Sequence, residues 1–446
     1  MKPLNAFLLA LLVSTIAFSP VIMAQEINSK KLDSFLNILS VNDKAMGSFI
    51  IAKNGKTVYQ KTTGYSQIEA DKKIHATAET QYRIGSISKT FTAVIAFQLI
   101  EEKKLTLDTK LALFFPQMPN ADKITIANLL NHTSGLADYV SENLTWIVAP
   151  HTKAELLDTM AKSKVHFEPG AKQQYSNGGY LLLTYILEKI TGKPYALLVK
   201  NRIIDKIGLK STIAGTVNSS QKLEARPFKF FSAWTPVKDI YFPNVVGVGD
   251  ILSTPQDLST FMMALCSSKL TSTESFHKMK MFDGNNRLGM GLLRMPFYEK
   301  TLIGHTGGTL GTYSFLLSIP EEGMTIAYCV NASNYKLNDI TLGLLNACYN
   351  MSYQLPDIRN VQLTTEDLDG LLGDYTSKDL PLKIAITKSG DVLVAQATGQ
   401  PSFVLDALSK NEFKQDGIGA VLQFNREKHE MTLIQNGKSF HYTMEK

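Results

Sequence analysis

The chain has 446 residues, 44% of them hydrophobic and 19% charged, with a formal net charge of +6. That length and apolar content can bury large cores without covalent staples, and so mild a basic excess, with no Lys/Arg stripe interleaved with aromatics, argues against nucleic acid as a partner. Cys266, Cys329 and Cys348 make no even disulfide framework and read as buried, inert thiols, and the eight histidines form neither an H-E-x-x-H run nor a Cys/His cluster of zinc spacing, so no metal or other cofactor is expected.

In chain order, Lys2 gives a positive start, residues 6–18 are an apolar-to-small run, and Ile22-Met23-Ala24 offers small-residue cleavage before Gln25. This is the layout of a secretory signal peptide over 1–24. The apolar run, about 13 residues, falls short of the roughly 20 that span a bilayer, so the mature chain is expected to be periplasmic or secreted with no stable membrane span. The pattern then predicts a helix over 31–39 and a hairpin of 48–52 with 57–59 across Asn54-Gly55. Residues 86–102 are small or apolar nearly all round, which predicts a buried helix. Helices follow over 124–131, 178–190, 197–206 and 255–265, strands over 301–303, 313–318 and 324–330, and a helix over 337–353.

Strands at both ends of a helical middle predict an α+β fold, with one antiparallel sheet built from both ends of the domain and an all-helical subdomain packed on it. Composition changes near Leu355-Pro356, and from 382 short alternating strands follow (382–387, 392–397, 402–405, 420–424, 431–435, 440–444). They predict a small all-β, barrel-like C-terminal domain. The expected organisation is thus 1–24 leader, 25–355 main domain and 364–446 β-barrel.

Ser-x-x-Lys occurs at Ser86, Ser219, Ser275 and Ser333, so the tetrad alone says little. Only Ser86 follows an extended segment and a glycine and opens a buried helix, where backbone N–H groups and the positive dipole end favour developing negative charge. Lys89 shares its face one turn deeper. An amine in apolar surroundings is costly to keep charged, so its pKa should fall and let it take the serine proton. Taken alone, the pair is equally a plain N-cap with a lysine reaching solvent. Tyr175-Ser176-Asn177 stands at a loop-to-helix junction, where a phenol near an amine can ionise below its usual value of about 10 and Asn177 can hold a substrate amide; alone it is a capped turn. His305-Thr306-Gly307-Gly308 lies between two apolar strands, where glycines admit a substrate backbone and the Gly308 N–H can serve an oxyanion hole; alone it is a glycine-rich turn with a surface histidine.

These elements, in this order, resemble the serine β-lactamase and DD-peptidase superfamily, and within it the class C-like branch, which also holds D-aminopeptidases, soluble D-Ala-D-Ala carboxypeptidases and esterases. The likeness is carried further by Tyr82-Arg83-Ile84-Gly85-Ser86-Ile87-Ser88-Lys89-Thr90, Leu129-Leu130-Asn131-His132-Thr133-Ser134-Gly135-Leu136, Gly249-Asp250-Ile251-Leu252-Ser253-Thr254 and Leu288-Gly289-Met290-Gly291. It covers residues 30–350, and the tail from 365 is similar, less specifically, to the lipocalin-like domain often appended to such enzymes. The resemblance implies that Ser86 is acylated and that Lys89 and Tyr175 handle protons. It implies further that Asn177 orients the substrate amide, and that the Ser86 and Gly308 N–H groups form the oxyanion hole.

His305 and Thr306 stand where β-lactamases of this kind carry Lys-Thr-Gly. A histidine is largely neutral near pH 7, which shifts weight from efficient β-lactam hydrolysis to peptidase or esterase work. Lys388-Ser389-Gly390 reads as a hairpin turn, Glu168 as part of a structural turn, and no Gly-x-Ser-x-Gly elbow is present. The expected function is an exported serine hydrolase acting on a small-molecule or peptide substrate, cell-wall peptide among them: D-amino-acid peptides, esters or β-lactams. The alternatives are a catalytically weak penicillin-binding or sensory module, and a barrel that carries a small apolar ligand. Oligomeric state is left open.

Overall fold

The computed structural model describes residues 27–445 except 70–71, 141–145, 216–222, 232, 285, 357, 359–360, 362 and 401. The expected leader and the Ser219 tetrad lie outside the described residues. Helix α1 (Ser29–Val41) is capped by Asn28, whose side chain accepts from the Lys31 N–H, and turns Leu32, Phe35, Leu36 and Leu39 inward. Strands β1 (Ala45–Lys53) and β2 (Lys56–Thr63) are joined by Asn54 and Gly55, both left-handed at φ +47° and +86°. Two consecutive positive φ values are what a tight hairpin turn needs, and Asn-Gly supplies them at least strain.

Helix α2 (Ser88–Glu101) is buried along Ser88–Leu99 on every side. Helices α3 (Asn177–Thr191) and α4 (Pro255–Cys266), capped by the hydroxyls of Ser176 and Thr254, pack in the same layer. The chain then returns to the sheet as β3 (Leu293–Phe297), β4 (Lys300–Gly308), β5 (Tyr313–Ile319) and β6 (Met324–Ser333), followed by α5 (Leu337–Cys348). The antiparallel sheet has the order β2-β1-β6-β5-β4-β3, so its centre pairs the first strand with the last. Residues such as Phe49, Ile51 and Ile326 face α1 and α5, while Ile50, Ala327 and Cys329 face the helical layer.

Eight strands, from Gly373–Thr376 to Lys438–Met444, close into an antiparallel barrel. Its inward positions, among them Tyr375, Leu393, Phe413, Leu422 and Met431, form a buried apolar core. Six of the strands match the alternating pattern; Gly373–Thr376 and Glu412–Gln415 do not show in it. Further differences lie in the helices. The last helix of the sheet domain stops at Cys348, short of 353, and Lys153–Lys162 forms a helix behind a Thr152/Glu155 capping box. The three cysteines are free, and burial pushes their thiols up, to about 11 at Cys266 and about 12 at Cys348.

Candidate active site

The short strand Tyr82–Arg83 pairs with Leu252–Ser253, the Ile84 N–H donates to Ile251 O at 3.0 Å, and the Arg83 guanidinium donates to Asp250 O at 2.8 Å. Gly85 then turns with φ +50°, and a single 3-10 turn (Gly85–Ile87) leads into α2. Ser86 is therefore delivered, half-buried, at the start of a buried helix. Lys89, with no exposed surface, follows three positions later.

The Lys89 amine has three partners: Ser86 Oγ at 3.0 Å, Asn177 Oδ1 at 2.8 Å and Val248 O at 3.0 Å. Burial brings Lys89 down to about 7, with the nearby Asp138 carboxylate opposing the fall. The Tyr175 hydroxyl lies close enough to the Ser86 side chain to feel it, and Lys89 Nζ lies 4.9 Å from the Tyr175 ring centre. Tyr175 departs from expectation in one respect: burial raises its phenol rather than lowering it. Desolvation is the largest effect and the Asp138 charge adds to it, together outweighing the opposite pull of the Ser86 hydroxyl, so the resting phenol keeps its proton.

Asn177, the first residue of α3, is held by Asp138, whose Oδ2 accepts from Asn177 Nδ2 at 2.9 Å and whose Oδ1 accepts from the Asn177 backbone N–H at 3.3 Å. His305 is buried on β4, its ring 6.4 Å from that of Tyr175. Nδ1 faces Thr306 O; a carbonyl only accepts, so Nδ1 carries the proton and Nε2 is the lone-pair nitrogen. Burial and the Lys89 charge together bring His305 down to about 3, so it is neutral at any working pH.

His305–Gly308 does not lie between two strands: it is the end of β4, paired with Leu316, Phe315, Ser314 and Tyr313 of β5. A Cβ built on Gly307 would meet Ile84 O at 1.9 Å, and one on Gly85 would meet Gly308 N at 2.6 Å. The glycines thus let the strand press against the Ser86 turn, and only Gly308, exposed and free of such contacts, keeps an open side for a substrate. Thr306 pairs with Phe315, and strand alternation turns its side chain away from the face that carries His305.

Ser86, Lys89, Tyr175, Asn177, His305 and Gly308 therefore converge, and the Thr306 side chain does not join them. Glu168 stays outside, in an exposed pair with Lys123. Sequence reasoning missed three contributors. Asp138 grips Asn177. His132, at φ +62°, stacks on Tyr175 with ring centres 4.4 Å apart and accepts the Ser176 N–H on Nδ1 at 3.1 Å. Val248 supplies a carbonyl to Lys89. His132 and the Gly249–Thr254 run lay in phrases that carry the family resemblance, but nothing local marked Asp138.

Fold and site together define a serine hydrolase. The chain belongs to the beta-lactamase family, whose model matches residues 43–345. A penicillin-binding protein of Bacillus subtilis (strain 168) is 24% identical over 430 residues, 89% of this chain and 93% of that one. A teichoic acid D-alanine hydrolase of Staphylococcus aureus (strain MRSA252) is 27% identical over 289 residues, 63% of this chain and 68% of that one. Among solved structures, a D-amino acid amidase from Ochrobactrum anthropi SV3 complexed with L-phenylalanine amide is similar at a TM-score of 0.62 and 27% identity, covering 72% of this chain and 99% of that one. Among the described residues no helix is long and apolar enough to cross a membrane.

Proposed function

We propose that this is an exported hydrolase of D-aminoacyl amides, peptides and esters that works through an acyl-Ser86 intermediate, with 1–24 as leader, 25–355 as the hydrolase and 364–446 as an accessory barrel. The observation that carries the reading is the Lys89 amine, 3.0 Å from Ser86 Oγ and brought by burial to about 7. A base poised near the working pH combines availability with driving force.

Neutral Lys89 takes the Ser86 proton as Oγ attacks the substrate carbonyl. The oxyanion meets the Ser86 and Gly308 N–H groups, donors of a kind worth about 3 kcal/mol each. Tyr175, which keeps its phenolic proton, passes it to the departing amine or alcohol and is reprotonated from Lys89. Water then attacks the acyl-enzyme, with the same pair taking its proton and returning one to Ser86 Oγ.

His305 supports the substrate class. A neutral ring offers no fixed charge to a carboxylate, so substrates that carry none next to the scissile bond are favoured over β-lactams. The activities named for the amidase and the D-alanine hydrolase concern D-amino acids, which agrees with this choice. The test is covalent labelling with a fluorophosphonate, together with turnover of p-nitrophenyl acetate, D-amino-acid amides and nitrocefin, by wild type and Ser86→Ala. Labelling and D-amide turnover confined to wild type are expected, with nitrocefin poor. A wild type that labels but turns nothing over would point to a weak penicillin-binding module, and labelling of Ser86→Ala would remove the nucleophile.

A further inference from the structure

The Lys89 amine faces three oxygens, which an ammonium can serve alike and a neutral amine cannot. Val248 O is a carbonyl and Asn177 presents Oδ1, so both only accept. As an ammonium, Lys89 donates to these two and to Ser86 Oγ. After losing one proton it keeps two N–H groups, and the two carbonyl oxygens claim them. The lone pair is then left pointing along the remaining direction, at Ser86 Oγ, where a general base needs it.

This holds only while Asn177 turns its oxygen, and not its NH2, toward Lys89. A flipped amide would donate into the lone pair and occupy it. What sets the flip is Asp138, buried at 7% exposure on the stretch after α2 and before α3. Its Oδ1 accepts from the backbone N–H groups of Val140 and Asn177, both at 3.3 Å, and its Oδ2 accepts from Asn177 Nδ2 at 2.9 Å. A carboxylate has no proton to give an amide oxygen, so the atom of Asn177 that faces it is the nitrogen.

We infer that Asp138 is a positioning residue for acylation: by fixing the Asn177 amide, it aims the lone pair of Lys89 at Ser86. The inference rests on the acyl-serine reading. Asp138 also acts on Lys89 through its charge, which holds the amine up against burial. The other ionisable groups facing Lys89 do not titrate beside it. His305 is down at about 3 and His132 lies well below its ordinary value; Tyr175 and Tyr180 are raised by burial. Asp250, two residues from Val248 and raised by burial to about 6, is the same in wild type and variant, so a difference between their acidic limbs of kcat/KM reports Lys89.

Asp138→Asn keeps the shape but can donate or accept, so the flip is no longer enforced, and the charge is gone. The expected result with p-nitrophenyl acetate is a plateau kcat/KM lower on the order of 10- to 100-fold, as for a misaligned reacting group. The acidic limb should move to lower pH than in wild type. Because Asp138 acts through Asn177, the Asp138→Asn/Asn177→Ala double variant should be no slower than Asn177→Ala, whereas a merely structural role would give additive losses and leave the limb in place. An unmoved limb, a wild-type plateau or additive losses overturn the proposal. If circular dichroism shows Asp138→Asn unfolded, Asp138→Glu replaces it: an unmoved limb with a lowered plateau supports the proposal, and a wild-type plateau overturns it. Ser86→Ala is run alongside. Turnover retained there removes the acyl-serine reading and this proposal with it, while its loss beside an unaffected Asp138→Asn removes the proposal alone.

Discussion

A buried lysine that must be uncharged to work is a weak point in the fold as well as a base. Lys89 ordinarily titrates at 10.5 and is brought to about 7 in the native chain. Between those values the unfolded chain holds a proton that the native chain has lost, so stability rises with pH across that window. Below about 7 both states hold the proton and the cost of burying the charge is present in full; above about 10.5 neither does and the cost is gone. In urea unfolding, wild type should therefore gain on Lys89→Met by roughly 3 kcal/mol between about pH 6 and about pH 9. Equal pH dependence in the two proteins would mean that Lys89 is not desolvated. The fall in the Lys89 value was legible in the sequence, because an amine inside an apolar helix has one outcome. The direction for Tyr175 was not: it depends on how deeply the fold buries the ring, and part of that burial comes from His132, stacked on it from another segment. Asp138 was invisible because its meaning lies in a partner that touches it only after folding.

The glycines that end β4 explain both what the strand does and why its end was misread. Strand periodicity is a pattern of apolar side chains, so it stops being readable where glycines and polar residues take over, after Ile303, although pairing runs on to Gly308. The same holds for Gly373–Thr376 and Glu412–Gln415, each too short at four residues to show alternation. By contrast, the Asn54-Gly55 hairpin and α2 were legible, since turn chemistry and all-round burial are local signals. Because a methyl added at Gly307 would stand 1.9 Å from Ile84 O, Gly307→Ala must push β4 and the Ser86 turn apart. The expected loss in labelling rate is on the order of 100-fold, the scale of a misplaced reacting group. Gly390→Ala, in a barrel turn at φ +64° with open space around the new methyl, should cost about 1 kcal/mol of backbone strain and leave labelling unchanged. Equal labelling by the two variants would show that the strand end does not shape the site.

At the scale of the whole molecule, the barrel has its own closed core, and the sheet domain has two. A buried polar cluster lies between them. Lys44, at 2% exposure just before β1, donates to Asp406 of the barrel and lies 3.3 Å from Asp416. Asn334, just after β6, accepts from the Gln415 side chain at 2.8 Å and donates its backbone N–H to Lys44 O. No sequence pattern points to a contact across 362 positions. Breaking a buried pair by removing one partner costs about 3–5 kcal/mol, because the remaining charge is left uncompensated. Asp406 retains 28% exposure, which places Lys44→Ala toward the low end of that range. Since Lys44 belongs to none of the three apolar cores, the loss should fall on the coupling between the two units. Calorimetry of Lys44→Ala is therefore expected to resolve a barrel transition from the hydrolase transition, with Ser86 labelled at the wild-type rate because none of Lys44's partners belongs to the site. Asp416→Asn, which lowers the negative charge around Lys44 without orphaning it, should shift the trace less. A single cooperative transition at an unchanged midpoint in Lys44→Ala would show that the units are held together by something other than this ion cluster.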